Sequence, residues 1–218
     1  MRTIKVTGKG NIKVAPDTTR LTLTLTGSDT EYGKALKASS EDTLCLKDLL
    51  EGLGFKRSDL KTIRFSVDPR YESYKNKDAY KQRLTGYEFT HVLKLEFPSD
   101  NERLGKTLFA LANGKVSPEV RISYTVSDPE SVKNGLLSKA VADAKDKAAV
   151  LAEASGVTLK DIQSIDYSWS QIEFESQPMR GGFYTLCEGG SGIDSYDIDM
   201  EPEDIEKSDE VTVVWEIA

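Results

Sequence analysis

The chain carries the same residue pattern twice, and an internal repeat constrains the fold before any chemistry is considered. Leu21, Leu23 and Leu25 alternate with threonines, and Ser-Asp-Thr-Glu at 28–31 then opens a long helical pattern. Ninety-nine residues later, Val120, Ile122 and Tyr124 alternate with polar residues, and Ser-Asp-Pro-Glu at 127–130 opens another. Further alternating segments follow each copy, so the sequence predicts a strand, a helix and then strands in each half.

These patterns predict an α+β fold of duplicated βαββ units, with a mostly antiparallel sheet and two long helices packed on one face. We expect a single domain over residues 1–218, made of repeats at about 18–98 and 118–218. An N-terminal hairpin is predicted at 3–15, with its bend at Gly8-Lys9-Gly10. The long helices are predicted at about 30–53 and 129–155, and a short one at about 100–112.

Spacings of three and four residues predict which face of each long helix is buried. For the first helix the predicted face is Tyr32, Leu36, Ser39, Thr43, Leu46, Leu50 and Leu53. For the second it is Leu137, Val141, Ala144, Ala148 and Leu151. The second helix is also rich in alanine, which predicts a close approach to its neighbour.

Composition bounds the class of protein. The 218 residues contain no apolar stretch of the roughly 18 residues that a membrane span needs. The alternating pattern starts at Ile4 with no signal peptide before it, which predicts a cytosolic protein. Cys45 and Cys187 share no metal-ligand spacing, so free thiols are favoured, although a bridge between them stays open.

Charge is distributed unevenly, in two segments of opposite sign. Residues 188–210 contain ten acidic residues and one lysine, a local net of −9, so the remaining chain carries about +2 of the total of −7. Residues 70–87 carry a net of +3 and four tyrosines. The predicted arms comprise Arg70, Tyr71, Tyr74, Lys75, Lys77, Lys81 and Arg83 on one side, and Asp194, Asp197, Asp199, Glu201 and Glu203 on the other.

Three interpretations of these arms are open. Equivalent loops of opposite charge would suit self-assembly, with the basic arm of one copy meeting the acidic arm of another. Solvated loops are the plainer alternative. Basic residues interleaved with tyrosines can also grip single-stranded nucleic acid. Self-assembly into a homo-oligomer is narrowly favoured, and nucleic acid is the least favoured.

Candidate chemical sites are weak. Gly8-Lys9-Gly10 lacks the helix that a phosphate loop requires, since a β-patterned segment with Pro16 follows. His91, the only histidine, is in phase with apolar neighbours and is interpreted as a hydrogen-bonded structural residue rather than a general base. Zinc lacks its nitrogen and sulfur ligands. Calcium lacks the EF-hand spacing near Asp194. The sequence therefore predicts no catalytic residue, no metal and no cofactor.

Two stretches resemble the SIMPL domain family. They are Ile-Lys-Val-Thr-Gly-Lys-Gly at 4–10 with Pro16-Asp17 and the 21–25 strand, and the alanine-rich 140–156 helix; the closing 211–217 strand is also similar. Acidic residues at 201–203 depart from the usual proline-glycine. The resemblance implies a duplicated βαββ fold of unknown molecular function, with ring-shaped oligomers in some members, export of many relatives and a loose link to oxidative-stress tolerance. It implies no catalytic residues.

The function predicted from these observations is a non-enzymatic, oligomeric binding or scaffold protein. The alternative is an enzyme or small-ligand carrier with a pocket between helices and sheet, in which Tyr167, Trp169 and His91 would converge.

Overall fold

The computed structural model describes residues 2–76, 79–167, 172–177, 196 and 199–218. In chain order its elements are β1 (Arg2–Val14), β2 (Thr18–Asp29), α1 (Tyr32–Gly52), β3 (Lys61–Asn76), β4 (Ala79–Pro98), α2 (Asn101–Ala112), β5 (Glu119–Thr125), α3 (Pro129–Ala154), β6 (Leu159–Asp166), β7 (Glu175–Ser176) and β8 (Ile205–Ile217). The predicted α+β class is confirmed. Among the described residues no helix is both long and apolar enough to span a membrane.

Contacts divide the chain into two compact units. The α1 unit comprises Thr18–Tyr124 and Gln177–Glu201, and the α3 unit comprises Met1–Asp17, Thr125–Ser176 and Pro202–Ala218. In the α1 unit the strands lie in the order β3-β4-β2-β5, and β4 is antiparallel to both β2 and β3. In the α3 unit the order is β1-β8-β6, and β8 is antiparallel to both neighbours.

The core of the α1 unit follows directly from strand alternation, because successive side chains point to opposite faces of a sheet. Leu21, Leu23 and Leu25 on β2 are buried, as are Leu93 and Leu95 on β4. They join a cluster that includes Leu46, Leu50, Phe55, Phe89, Phe97, Leu104 and Leu111. The predicted apolar face of β2 is therefore confirmed.

The predicted N-terminal hairpin is wrong. Residues Arg2–Val14 form one continuous strand that pairs with β8 along its whole length, from Arg2 opposite Ile217 to Val14 opposite Ile205. Gly8 and Gly10 do not bend the chain. Instead they let α3 lie against the strand: a Cβ added to Gly8 would be 2.6 Å from the Cβ of Ala144, and one added to Gly10 would be 2.9 Å from the nitrogen of Ala140.

This close approach also changes the buried face of α3. The fully buried positions are Leu136, Ala140, Ala144, Ala148 and Ala152. Leu151, predicted to be buried, is exposed, whereas Leu137 and Val141 are partly buried at the edge of the cluster. Small residues form the contact because two backbones that meet at a glycine leave no room for a larger side chain.

The buried face of α1 is likewise narrower than predicted. Ala35, Ser39, Leu46 and Leu50 are buried, but Tyr32 and Leu36 near the start of the helix are exposed. The first turn of the helix therefore presents an aromatic side chain to solvent.

The two units share a strand order, though not in the form that the repeat predicts. In the α1 unit, β2 pairs with β4, which pairs with β3; in the α3 unit, β1 pairs with β8, which pairs with β6. The predicted opening strand of the second repeat, β5, lies beside β2 in the sheet of the α1 unit, and β1 takes the corresponding place in the α3 unit. The duplication itself stays a prediction.

Asp17 ties together distant segments of the α3 unit. Its carboxylate accepts hydrogen bonds from the backbone N–H of Ser127 at 2.7 Å and from the Ser127 hydroxyl at 2.6 Å. Its own N–H donates to the carbonyl of Thr125 at 3.1 Å. The Asp128 side chain then caps α3 by accepting from Ser131 N–H.

Candidate assembly surface

A two-stranded ribbon projects beyond the sheet of the α1 unit. β2 pairs with β4 as far as Asp29 opposite Tyr87, and β4 continues toward its start without β2. Beyond that point β3 and β4 pair with each other from Arg70 opposite Gly86 to Asn76 opposite Ala79. At about 3.4 Å per residue, this ribbon is roughly 20 Å long. A pair of strands with no further strand beside it gains little stability of its own in water.

Gly86 marks the base of the ribbon. Its φ of 155° is a backbone conformation that side-chain-bearing residues rarely adopt. A Cβ there would also be 3.1 Å from the carbonyl carbon of Asp29. The pairing register shifts immediately beyond it, between Arg70 and Tyr71. Such a bulge changes which residues of β4 share a face with those of β3.

One face of the ribbon carries large apolar side chains near both of its ends, separated by the polar pair of Ser73 and Gln82. Tyr71 on β3 lies directly opposite Leu84 on β4. Tyr80 on β4 lies opposite position 75, which is four residues beyond Tyr71 on β3, so Tyr80 is on the same face. Tyr71 is 57% exposed, Leu84 46% and Tyr80 80%. We name these three residues the ribbon stripe. Large apolar side chains clustered at such exposure are typical of interaction surfaces.

The stripe continues toward the helix. Tyr87, opposite Pro69, lies on the same face at the base of the ribbon. Its ring meets the ring of Tyr32 edge to face, with centroids 5.5 Å apart. Exposed Tyr32 at the start of α1 therefore extends the apolar surface from the ribbon to the body of the unit.

The opposite face of the ribbon is polar. Arg83 and Glu72 are cross-strand partners and form an ion pair at 3.6 Å. Tyr74 lies opposite Lys81 on the same face. Both ion-paired side chains are well exposed, so solvent screens the pair and it contributes little stability.

The structure brings most of the predicted basic arm together. Arg70, Tyr71, Tyr74, Lys81 and Arg83 all lie on the ribbon and are exposed. The backbone of Lys75 belongs to β3, but its side chain lies outside the described part, as does Lys77. Sequence reasoning missed Leu84, because its position opposite Tyr71 depends on the bulge that excludes Thr85 from the pairing.

The predicted acidic arm is described only at its end. Asp199, Glu201 and Glu203 are exposed residues outside regular elements, whereas Asp194 and Asp197 lie outside the described residues. Cys187 also lies outside them, and Cys45 on α1 is a free thiol.

The His91 ring is hydrogen-bonded through both of its nitrogens, as predicted, whereas its structural rather than catalytic role stays a prediction. Its Nδ1 lies 3.0 Å from the Thr43 hydroxyl and its Nε2 lies 2.9 Å from the Thr62 hydroxyl. The Thr43 hydroxyl already donates its single hydrogen to the carbonyl of Ser39 at 2.7 Å. It must therefore accept from His91, which assigns the proton to Nδ1 and makes Nε2 the acceptor for Thr62 in the neutral ring.

Burial, together with the nearby charge of Lys47, lowers the pKa of His91 below its ordinary value of 6.5. Because folding favours the neutral ring, the stability that His91 contributes is present above pH 6.5 and is lost as the pH falls through the lower folded pKa.

The wild type should therefore lose part of its free energy of unfolding relative to His91→Gln as the pH falls from 6.5 through the folded pKa of His91. Urea denaturation at a series of pH values measures it, and an NMR titration midpoint of the ring at or above 6.5 would contradict it.

The two described members of the predicted pocket each have a local partner within their own unit. His91 binds Thr43 and Thr62, and the Tyr167 hydroxyl donates to the Asp209 carboxylate at 2.9 Å. That carboxylate, with burial of the phenol, raises the pKa of Tyr167. Trp169 lies outside the described residues. The small-ligand or enzyme alternative stays a prediction.

The geometry defines a class: an α+β protein whose two helix-covered sheets share a strand order and one of which projects an exposed ribbon. Residues 4–215 match the model of the SIMPL family, described as a protein of unknown function (DUF541), and the chain belongs to that family.

Two curated relatives carry the same name. The chain is 28% identical over 187 residues to the "26 kDa periplasmic immunogenic protein" of Brucella melitensis and, to the same extent, to that of Brucella abortus. Each match covers 84% of this chain and 73% of the relative. Both relatives are named as periplasmic proteins, which points against the cytosolic location predicted from the sequence.

Proposed function

We propose that this SIMPL protein is a non-enzymatic scaffold or binding protein that assembles with copies of itself through the ribbon. The observation that carries the proposal is the ribbon stripe, in which Tyr71, Leu84 and Tyr80 are exposed together on a pair of strands that no other described strand joins. Covering this face removes apolar surface from water, which contributes roughly 25 cal/mol per Å². The same contact orders a ribbon that is marginal alone.

Charge supports the choice of a second copy as the partner. The 70–87 segment carries +3 and the 188–210 segment carries −9 within the same chain. Arg70, Lys81 and Arg83 are exposed on the ribbon, and Asp199, Glu201 and Glu203 are exposed at the described end of the acidic segment. A basic surface on one copy then attracts an acidic surface on another and helps to fix the orientation.

Light scattering coupled to size exclusion tests the proposal. We expect a mass above that of a monomer at low salt and a shift toward monomer as salt shortens the screening length to about 3 Å near 1 M. The double variant Tyr71→Ser with Leu84→Ser should be monomeric at every salt concentration, because it removes the apolar contact and keeps the charges.

Leu44→Ser is the matched control. Leu44 lies on α1 and is 51% exposed, close to the exposure of Leu84, but it is not on the ribbon. Circular dichroism should show all variants folded. A wild type that stays monomeric at low salt, or a control that dissociates like the ribbon variant, would defeat the proposal. Retardation of single-stranded DNA by the wild type would favour the nucleic-acid alternative instead.

The link to oxidative-stress tolerance that the family resemblance implies stays a prediction, since nothing in the ribbon requires it.

A further inference from the structure

β1 is the outer strand of the sheet in the α3 unit, since the strand order is β1-β8-β6. Along an antiparallel strand, one residue directs its N–H and C=O groups toward the partner strand and the next residue directs them away from it. Within the part of the chain that the structure describes, β1 therefore presents a row of backbone groups on its free side that no other strand pairs. Such a row is a template on which a strand from another chain can pair.

Two side chains of α3 bind the backbone of β1. The Asp143 carboxylate accepts a hydrogen bond from the N–H of Lys9 at 2.6 Å. The Lys147 ammonium lies 3.4 Å from the carbonyl of Thr7, to which it donates. Thr7 and Lys9 are two residues apart, so their backbone groups point to the same side of the strand. Asp143 and Lys147 also pair with each other at 2.7 Å, one turn apart on the helix.

The arrangement replaces a neighbouring strand. A strand paired at this edge would offer a carbonyl to Lys9 N–H and an N–H to Thr7 C=O; the carboxylate and the ammonium supply the same acceptor and donor. The side chains of Asp143 and Lys147 can contact the backbone of β1 because Gly8, between Thr7 and Lys9, allows the α3 backbone to lie against the strand. We name the Asp143–Lys147 pair the edge clasp.

The other outer strand of this sheet is protected differently. β6 is irregular, with register shifts between Leu159 and Ile162 and between Ile162 and Ser164. Bulges twist an edge and obstruct regular pairing. β1 pairs with β8 over thirteen consecutive positions without a register shift, so it is the regular edge that needs a separate device.

We infer that the edge clasp keeps β1 closed to strand addition, and that a second copy of this chain pairs with β1 when the clasp is removed. This goes beyond the proposed ribbon assembly, since it concerns the other unit and a contact that the native protein prevents.

Amide exchange followed by NMR gives the first measurement. In Asp143→Ala the Lys9 amide should exchange about tenfold faster, because it loses its hydrogen-bond acceptor. Asp146→Ala, an exposed acid on the same helix, is the control and should leave Lys9 unchanged. Asp143→Asn keeps an acceptor oxygen and should restore most of the protection.

Light scattering gives the second measurement. The measurement is made at high salt in a chain that also carries Tyr71→Ser and Leu84→Ser. Ribbon assembly is expected to be abolished in that chain, so any association reports on β1 alone and the two proposals are tested independently. In that background Asp143→Ala with Lys147→Ala should associate as concentration rises, whereas Lys145→Ala with Asp146→Ala should not. An unchanged Lys9 exchange rate would overturn the inference, and so would faster exchange in a chain that stays monomeric.

Discussion

Gly8→Ala is expected to lower the free energy of unfolding by about 3 kcal/mol, the upper part of the range for an overpacked core. The added Cβ would meet the carbonyl oxygen of Ala140 and the nitrogen of Ala144, both backbone atoms, and would lie 2.6 Å from the Cβ of Ala144. Backbone atoms of a helix cannot rotate aside, so α3 as a whole must move away from β1. Urea denaturation followed by circular dichroism measures the loss.

Gly33→Ala is the control for this substitution. Gly33 lies in α1, and a Cβ there would meet nothing within 4 Å. Because alanine is favoured over glycine in a helix, this variant should match the wild type or gain up to about 1 kcal/mol. If Gly8→Ala were as stable as Gly33→Ala, the close contact between β1 and α3 would be refuted.

Phe89→Ala is expected to cost about 4 kcal/mol, as for other large side chains removed from a packed core. Phe89 is 1% exposed and belongs to the cluster beneath α1. Its ring also covers Gly27, its partner on β2: a Cβ on Gly27 would be 2.8 Å from the Cζ of Phe89. Removing the ring leaves a cavity and exposes the glycine backbone of the neighbouring strand.

Phe65→Ala provides the comparison, because it removes the same side chain from the adjacent strand. Phe65 is 44% exposed and packs edge to face on His91, with centroids 5.1 Å apart. Its loss should cost about 1 kcal/mol or less. Thermal and urea denaturation of both variants should separate them clearly, and equal losses would show that Phe89 is not a core residue.

Local patterns predicted the elements well. The spacing of apolar residues predicts the ends of both long helices to within two residues. This works because the residues of a buried helix face recur every three or four positions, so the signal is local in the sequence. The same spacing misses the exact face of α3, because it predicts that Leu151 is buried, whereas Ala152 is the buried residue. The buried face of α3 repeats every four residues from Leu136 to Ala152. Its contact with Gly8 and Gly10 lies over residues 136–144, and no local signal reports a partner strand more than 120 residues earlier in the chain.

The candidate surface was predicted in part. Charge and tyrosines between 70 and 87 indicated an exposed arm, since such residues are rarely buried together. The face on which each residue lies was not predictable, because the register shift at Tyr71 decides that Leu84 joins the apolar side. The N-terminal pattern predicts a hairpin wrongly for a related reason: the partner strand, β8, lies at the other end of the sequence.

That pairing has a consequence for how the molecule forms. In the sheet beneath α1, the strands β2, β3 and β4 come from one continuous stretch of the chain. In the sheet beneath α3, by contrast, Val14 pairs with Ile205, and most of the chain lies between these two residues. Contacts between such distant residues require a large loop to close, which slows folding. During synthesis on the ribosome, β1 is therefore made long before β8, the strand with which it pairs.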